Sequence, residues 1–288
     1  MADSVVADFV TDVIPDTGSY NEPVRGRVLM NRRQVVMVTP EDRISVPIDN
    51  IFDVAYGSAP QELRAFFEDT VSLAYSDRES KRVALIEGAD DTVERFTDLL
   101  FKAILNKTHV AVKHPAKTGG RVTEEPYKKA TLYLDAAAVK FKTKTPFEIE
   151  VSTVSGFERI TRPVFGTSRS VLSVKHADGN RIVTSEIALQ PERKMNVLGR
   201  FLRIEYSQLK DDLEDISLRD MDIEALVGLY SGATEGSLAG MLGIEASHVG
   251  TMLQKLLEKG LLEETPSGFT LTATGKLAVG EHLEEVNL

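Results

Sequence analysis

The chain has 288 residues, of which 42% are hydrophobic, and it carries a formal net charge of −10 with no cysteine. This length is typical of two or three domains, and the missing thiols exclude disulfides, thiolate catalysis and cysteine metal sites. Because there is neither an apolar run of about 18 residues nor a basic-then-apolar leader, we expect no membrane-spanning helix and a cytoplasmic location.

The charge is distributed unevenly along the chain. Residues 1–107 contain 12 basic and 19 acidic residues, residues 108–210 contain 18 and 10, and residues 211–288 contain 4 and 15. The net charges of these blocks are therefore −7, +8 and −11. Three such blocks indicate separate surfaces for separate partners, or docking of one block on another. The alternative is chance variation among solvated faces.

The first block reads as short strands followed by a helix. β-Branched runs separated by turn residues predict strands at 27–30, 34–38, 43–48, 51–54, 70–75 and 82–86. A helix is predicted after Asp90 and Asp91, because acidic residues favour the first turn of a helix. Its apolar stripe consists of Val93, Phe96, Leu99, Leu100 and Ile104.

The same order of elements recurs about 100 residues later. Strands are predicted at 131–134, 139–142, 147–151, 157–160, 170–175 and 181–184, and a closing helix runs from Pro191 to about residue 205. An antiparallel sheet closed by one C-terminal helix is typical of the pleckstrin-homology-like (PH-like) architecture. The sequence therefore predicts an α+β protein with two tandem PH-like domains, at residues 1–107 and 108–210.

The last block, residues 211–288, predicts a winged-helix domain. Apolar periodicity indicates helices at 221–230, 234–243 and 245–259, followed by two wing strands at 260–264 and 269–272. Affinity for duplex DNA comes largely from Lys and Arg, so a block with a net charge of −11 should repel it. We expect this tail to recognise proteins, and a transcription regulator that binds DNA is the alternative.

Three N-terminal segments give the chain a recognisable opening: Val5–Phe9, Pro23–Val28 and Val46–Val54. Together with the total length and the acidic winged-helix tail, they resemble the archaeal taxis family CheF. The resemblance implies a non-enzymatic adaptor that connects the phosphorylated response regulator CheY to accessory proteins of the archaellum motor. A chemotaxis or phototaxis signal would thereby switch the rotation of that motor. The resemblance assigns no binding residue in this chain.

No pattern in the sequence predicts a catalytic or metal site. The five histidines lack the spacing of zinc ligands, and His109 and His114, beside Pro115, are expected to be solvated in an interdomain segment. The stretch from Gly268 to Lys276 has the wrong spacing for a phosphate-binding loop. We therefore expect no enzymatic activity, no cofactor and no metal ion.

One polar pattern is a candidate partner-binding site. In the predicted strand at 139–142, Val139 and Phe141 should point to the core, while Lys140, Lys142 and Lys144 form a basic row on the other face. Three further cations in the following strands and loop are candidates to extend this row: Arg159, Arg162 and Arg169.

The basic row is open to several interpretations. It suits docking of an acidic protein, such as a response regulator or a motor component. It equally suits a solvated strand face, an edge strand protected by lysines, or contact with the acidic tail of the same chain. A PH-like module that binds anionic membranes is a further alternative, although the flanking acidic blocks should oppose attachment.

Overall fold

The computed structural model describes residues 4–20, 22–58, 67, 69–78, 80–88, 91–135, 137–179, 181–266 and 268–286. Within these residues the protein is α+β, with two large antiparallel sheets, a two-stranded sheet and six α-helices. The first sheet contains seven strands and is followed by helix α1 (Asp91–Leu105). Its strands are β1 (Ala7–Ile14), β2 (Val24–Met30), β3 (Gln34–Val38), β4 (Arg43–Pro47), β5 (Ile51–Ser58), β6 (Asp69–Asp77) and β7 (Ser80–Glu87).

The second sheet contains eight strands and is followed by helix α2 (Arg193–Glu214). Its strands are β8 (Thr108–Thr118), β9 (Arg121–Val122), β10 (Lys128–Asp135), β11 (Ala138–Lys142), β12 (Phe147–Glu150), β13 (Val154–Val164), β14 (Thr167–Asp178) and β15 (Arg181–Leu189).

The two sheets repeat one topology. The hydrogen-bonded order is β4-β3-β2-β1-β7-β6-β5 in the first sheet and β12-β11-β10-β8-β15-β14-β13 in the second, where β9 pairs only with β8. A short 3₁₀ turn joins the two end strands of each order, β4 to β5 at Ile48–Asn50 and β12 to β13 at Val151–Thr153. The recurrence expected from the sequence is therefore present in the strand order and in the helix that follows each sheet.

The tail consists of three helices, a hairpin and a final helix. They are α3 (Asp220–Tyr230), α4 (Glu235–Leu242), α5 (Ala246–Glu258), β16 (Leu262–Thr265), β17 (Gly268–Leu271) and α6 (Ala273–Val286). Helix α4 ends at Gly243, whose φ of 65° lies in the left-handed region that glycine adopts without a Cβ clash. The three helices and two strands expected from the pattern are present, whereas α6 was not anticipated.

The segment around His109 and His114 corrects the sequence interpretation. It was expected to be an interdomain segment, but it forms β8, which pairs with both β10 and β15 near the middle of the second sheet. The strand has no run of large β-branched residues, and its histidine, proline and lysine residues are typical of a connection. Pairing on both edges of β8 outweighs that weak local preference.

Helix α2 is longer than the pattern indicated. It continues past residue 205 and through residue 210, where a domain boundary was expected, to Glu214. Leu209 and Leu213 keep its apolar stripe buried although acidic residues surround them. Its inner face packs on the first unit, where the rings of Phe101 and Phe201 meet edge to face with centroids 5.6 Å apart. One continuous apolar core therefore runs through both sheets and the tail.

Candidate partner-binding site

Strand β11 shows the alternation that the sequence predicted. Val139 and Phe141 are each 1% exposed, whereas Lys140 and Lys142 are exposed on the opposite side of the strand. Lys144 is also exposed, just beyond the end of the strand. We call the side of the second sheet that carries Lys140 and Lys142 the outer face, and the other side holds the main core.

The strand registers carry the outer face across the sheet. Lys142 lies opposite Thr131 of β10, and Thr131 lies opposite His109 of β8. Because residues two apart on a strand share a face, Lys129 and Lys113 also belong to the outer face. Both of these lysines were missed in the sequence. Lys113 lies in a segment that was not expected to be a strand, and Lys129 lies before the start of the strand predicted at 131–134.

The same registers place two of the three predicted arginines on the outer face. Lys113 lies opposite Glu186 of β15, which lies opposite Ser173 of β14. Arg169 shares the face of Ser173 and lies directly opposite Arg162 of β13. Four strands separate β11 from β13 in the hydrogen-bonded order, so these arginines lie far from the lysine row along the sheet.

Arg159 lies on the opposite side of β13. It is paired with Leu172, a core residue that is 4% exposed. Its guanidinium forms an ion pair with Glu192 and donates to Asn196 Oδ1 at 3.3 Å, so it is tied to the start of α2. The structure therefore separates Arg159 from the other predicted cations, because it lies three positions from Arg162 along the strand and an odd spacing puts two side chains on opposite faces.

Two outer-face cations are compensated by neighbouring carboxylates. Lys140 Nζ lies 2.6 Å from Asp135 and 3.7 Å from Glu148, and the hydrogen bond and charge of Asp135 raise the pKa of Lys140. Arg162 Nε donates to buried Glu186 at 3.2 Å. Glu186 also accepts from the Tyr127 hydroxyl, whose pKa is raised by burial and by this hydrogen bond.

The other outer-face cations have no such compensation. Across the part of the chain that the structure describes, no ion pair is formed by Lys113, Lys129, Lys142 or Arg169. The corresponding strands of the first sheet differ, because Asp8 pairs with Arg27 at 2.7 Å and Asp12 with Arg25 at 3.6 Å. The arginines of β1 and β2 in the first sheet are therefore neutralised by aspartates of the same sheet, whereas the outer face of the second sheet keeps unpaired positive charge.

The contact between the second sheet and the tail has the opposite polarity from the one considered as an alternative for the basic row, in which lysines of the sheet meet carboxylates of the tail. Lys276 of the tail lies 2.6 Å from Glu150 of β12, and the Tyr230 hydroxyl donates to the Gly179 carbonyl at 3.3 Å. Here the acidic tail supplies a cation and the basic block supplies a carboxylate. The described acidic side chains of the tail make no ion pair with the lysine row.

His114 and His176 form a structural network, so His114 is not solvated as expected, whereas His109 is exposed. Ser185 Oγ lies 2.7 Å from His114 Nδ1 and 2.9 Å from His176 Nε2, and the His114 ring stacks on Phe147 at 3.9 Å. Burial lowers the pKa of both imidazoles. Since Ser185 is fully buried, its hydroxyl is not accessible to a substrate. Among the described residues, no three potential metal-ligating side chains of His, Asp or Glu converge.

No described helix is both long and apolar enough to cross a membrane.

A family model described as archaeal chemotaxis signal transduction system protein F matches residues 5–208. The chain is 44% identical to taxis protein CheF2 of Halobacterium salinarum over 288 residues, which is 100% of both chains. It is 23% identical to taxis protein CheF1 of the same organism over 265 residues, 91% of this chain and 89% of the relative. The chain therefore belongs to the archaeal CheF family of chemotaxis signal-transduction proteins.

Proposed function

We propose that this protein is a non-enzymatic, cytoplasmic adaptor that connects the phosphorylated response regulator CheY to accessory proteins of the archaellum motor. Its family membership supports a role in archaeal chemotaxis signalling. The observation that carries the proposal is the uncompensated positive charge on the outer face of the second sheet, because phosphorylation adds negative charge to a partner. Binding of the phosphorylated form is then favoured over the unphosphorylated form.

We assign the three chain segments to interaction modules. Residues 1–107 and 108–210 are two PH-like domains, the second of which includes the rest of α2 as far as Glu214, and their shared strand order and closing helix support this assignment. Residues 211–288 are a winged-helix domain, supported by three helices followed by a β-hairpin. Because the two sheets differ in how far their surface charges are paired, the two PH-like modules give the adaptor distinct surfaces for distinct partners.

The tail is assigned to protein contacts in preference to DNA. The exposed side of α5, the helix that would enter a DNA groove, carries one basic and one acidic residue among small and polar ones. These exposed residues are Ser247, His248, Thr251, Gln254, Lys255 and Glu258. We therefore expect no measurable binding of this protein to duplex DNA at physiological salt. The proposed partner of the exposed side of α5 is a motor accessory protein.

The test is the affinity of the full chain for CheY with and without beryllium fluoride, which mimics the phosphorylated state. We expect at least tenfold tighter binding to the mimic, with affinity falling as salt rises because the cations are exposed. Lys142→Glu should weaken this binding. Arg43→Glu is the matched control, since Arg43 is an exposed cation on β4 of the first sheet. Equal affinity for both states of CheY would contradict conditional binding.

A further inference from the structure

The turn between β13 and β14 places a bulky residue in an unfavourable backbone conformation. Val164 and Thr167 are paired, so Phe165 and Gly166 form a two-residue turn, with φ values of 51° and 80°. Two-residue hairpins with positive φ at both positions favour Asn-Gly or Asp-Gly, because a β-carbon with a large side chain is strained there. Phenylalanine is a poor choice for this position on grounds of folding alone.

The same hairpin carries a second unfavourable feature. Arg162 and Arg169 lie directly opposite each other across β13 and β14. Like charges at opposed positions repel, and Glu186 lies beside Arg162 but forms no ion pair with Arg169. Features that weaken local folding without a structural benefit are expected at functional sites.

The Phe165 ring is exposed to solvent beside a buried residue of β13. It is 53% exposed, although Val164 beside it is fully buried in a small apolar cluster with Val171. Tyr127 approaches the ring edge-on at 6.5 Å between centroids. An exposed aromatic ring flanked by arginines has the composition of a protein-interface hot spot.

We infer that the β13–β14 turn is an anchor in which Phe165 enters an apolar pocket on an acidic protein while Arg162 and Arg169 meet carboxylates around that pocket. The inference rests on the proposed adaptor function and names the part of the chain that holds the partner. An acidic protein is preferred to an anionic membrane because a membrane is an extended negative surface that would also face the acidic blocks on either side of the second sheet, whereas a pocket on a protein is a local contact with the turn and its two arginines.

The experiment uses the full chain and substitutions that improve folding while removing the anchor. Phe165→Asn supplies a residue that tolerates positive φ, so Tm should stay the same or rise by about 1–3 °C. Arg169→Glu replaces a repulsive cross-strand pair by an attractive one, so Tm should not fall. Each variant should nevertheless weaken binding to the partner at least tenfold. A general loss of folding cannot produce this combination.

Arg78→Asn is the matched control. Arg78 lies at the turn after β6 with a φ of 54°, so this variant also relieves a positive φ and also removes a cation. It should leave binding unchanged. Partners are the beryllium fluoride form of CheY and the archaellum accessory proteins, each titrated separately.

The outcomes separate the inference from the proposed function. If the unchanged chain binds a partner and Phe165→Asn binds it equally, the anchor is wrong and the adaptor function stands. If the unchanged chain binds none of these proteins, the adaptor function fails and the anchor fails with it. If the unchanged chain sediments with phosphatidylserine vesicles and Phe165→Asn does not, the turn is a membrane contact and the proposed protein anchor is overturned.

Discussion

Arg200 of α2 forms a two-pronged ion pair with Asp53 of β5. Its Nε and Nη2 atoms donate to the two carboxylate oxygens at 3.0 and 3.1 Å. The helix that closes the second unit is therefore fixed to the sheet of the first unit, beside the contact between Phe101 and Phe201. Contacts of this kind connect the second sheet with the first unit, so this pair bears on how the two units communicate.

Replacing the forked guanidinium should weaken the junction modestly. Arg200→Lys keeps the charge but loses the two parallel hydrogen bonds, and we expect the free energy of unfolding to fall by about 0.5–1 kcal/mol. The effect is small because the side chains are 40% and 32% exposed, which allows water to screen the pair. Urea unfolding measures the change.

The control for this prediction is Arg193→Lys. Arg193 lies 3.5 Å from Asp49, whose side chain is 88% exposed, so its replacement should leave the free energy of unfolding unchanged. A double-mutant cycle with Asp53→Asn should return a coupling energy of about 0.5 kcal/mol or more. A coupling near zero would show that the fork does not hold the units together.

Alanine substitutions at two glycines of α6 should change the stability of the protein in opposite directions. A Cβ at Gly275 would lie 2.1 Å from the Leu261 carbonyl oxygen, so Gly275→Ala must displace backbone and should cost about 1–3 kcal/mol of stability. A Cβ at Gly280 meets nothing within 4 Å, and Gly280→Ala should stabilise the helix by up to about 1 kcal/mol. Thermal unfolding of both variants tests the packing of α6, and the same sign for both would contradict it.

The stability of the α1–α2 junction should depend on pH through Glu205. The pKa of Glu205 is raised to about 7, mainly by burial and also by the charges of Asp98 and Glu94 on α1, while Lys102 opposes the shift. The folded state then binds more protons than the unfolded state between about pH 4.5 and 7, so stability falls as pH rises through this window.

Glu205→Gln should remove this dependence. At pH 8 the variant should be more stable than the unchanged chain by about 1–3 kcal/mol, and at pH 4 the two should be similar. Glu214→Gln, at an exposed position of the same helix, is the control and should behave like the unchanged chain. If urea unfolding gives Glu205→Gln the same pH profile as the unchanged chain, the carboxyl is not held in its neutral form.

The local sequence pattern was sufficient to predict the strands and helices in which apolar residues recur at a regular spacing. The strand at 139–142 lies as predicted, and the helix predicted at 245–259 is present as α5, with Val249, Met252, Leu253 and Leu256 buried and Leu257 half-buried. Strand β8 could not be predicted in this way, because its place depends on pairing with β10 and β15, which are distant in sequence. Pairing of that kind is a tertiary effect that overrides local preference.

The candidate site was predicted in part for a related reason. The face of Lys140 and Lys142 follows from the period of two within one strand, but which of the three predicted arginines shares that face depends on register across several strands. A spacing of three between Arg159 and Arg162 places them on opposite sides of β13. Phe165 was missed because a Phe-Gly turn has no sequence signal that distinguishes it from an ordinary loop.

The most direct test of the adaptor is a three-component capture experiment. An archaellum accessory protein is immobilised, CheY is added with or without beryllium fluoride, and the retained CheY is measured in the presence and absence of this protein. The adaptor predicts that CheY is retained only when both this protein and the phosphoryl mimic are present. Equal retention in the two states of CheY, or retention that does not require this protein, would contradict conditional bridging.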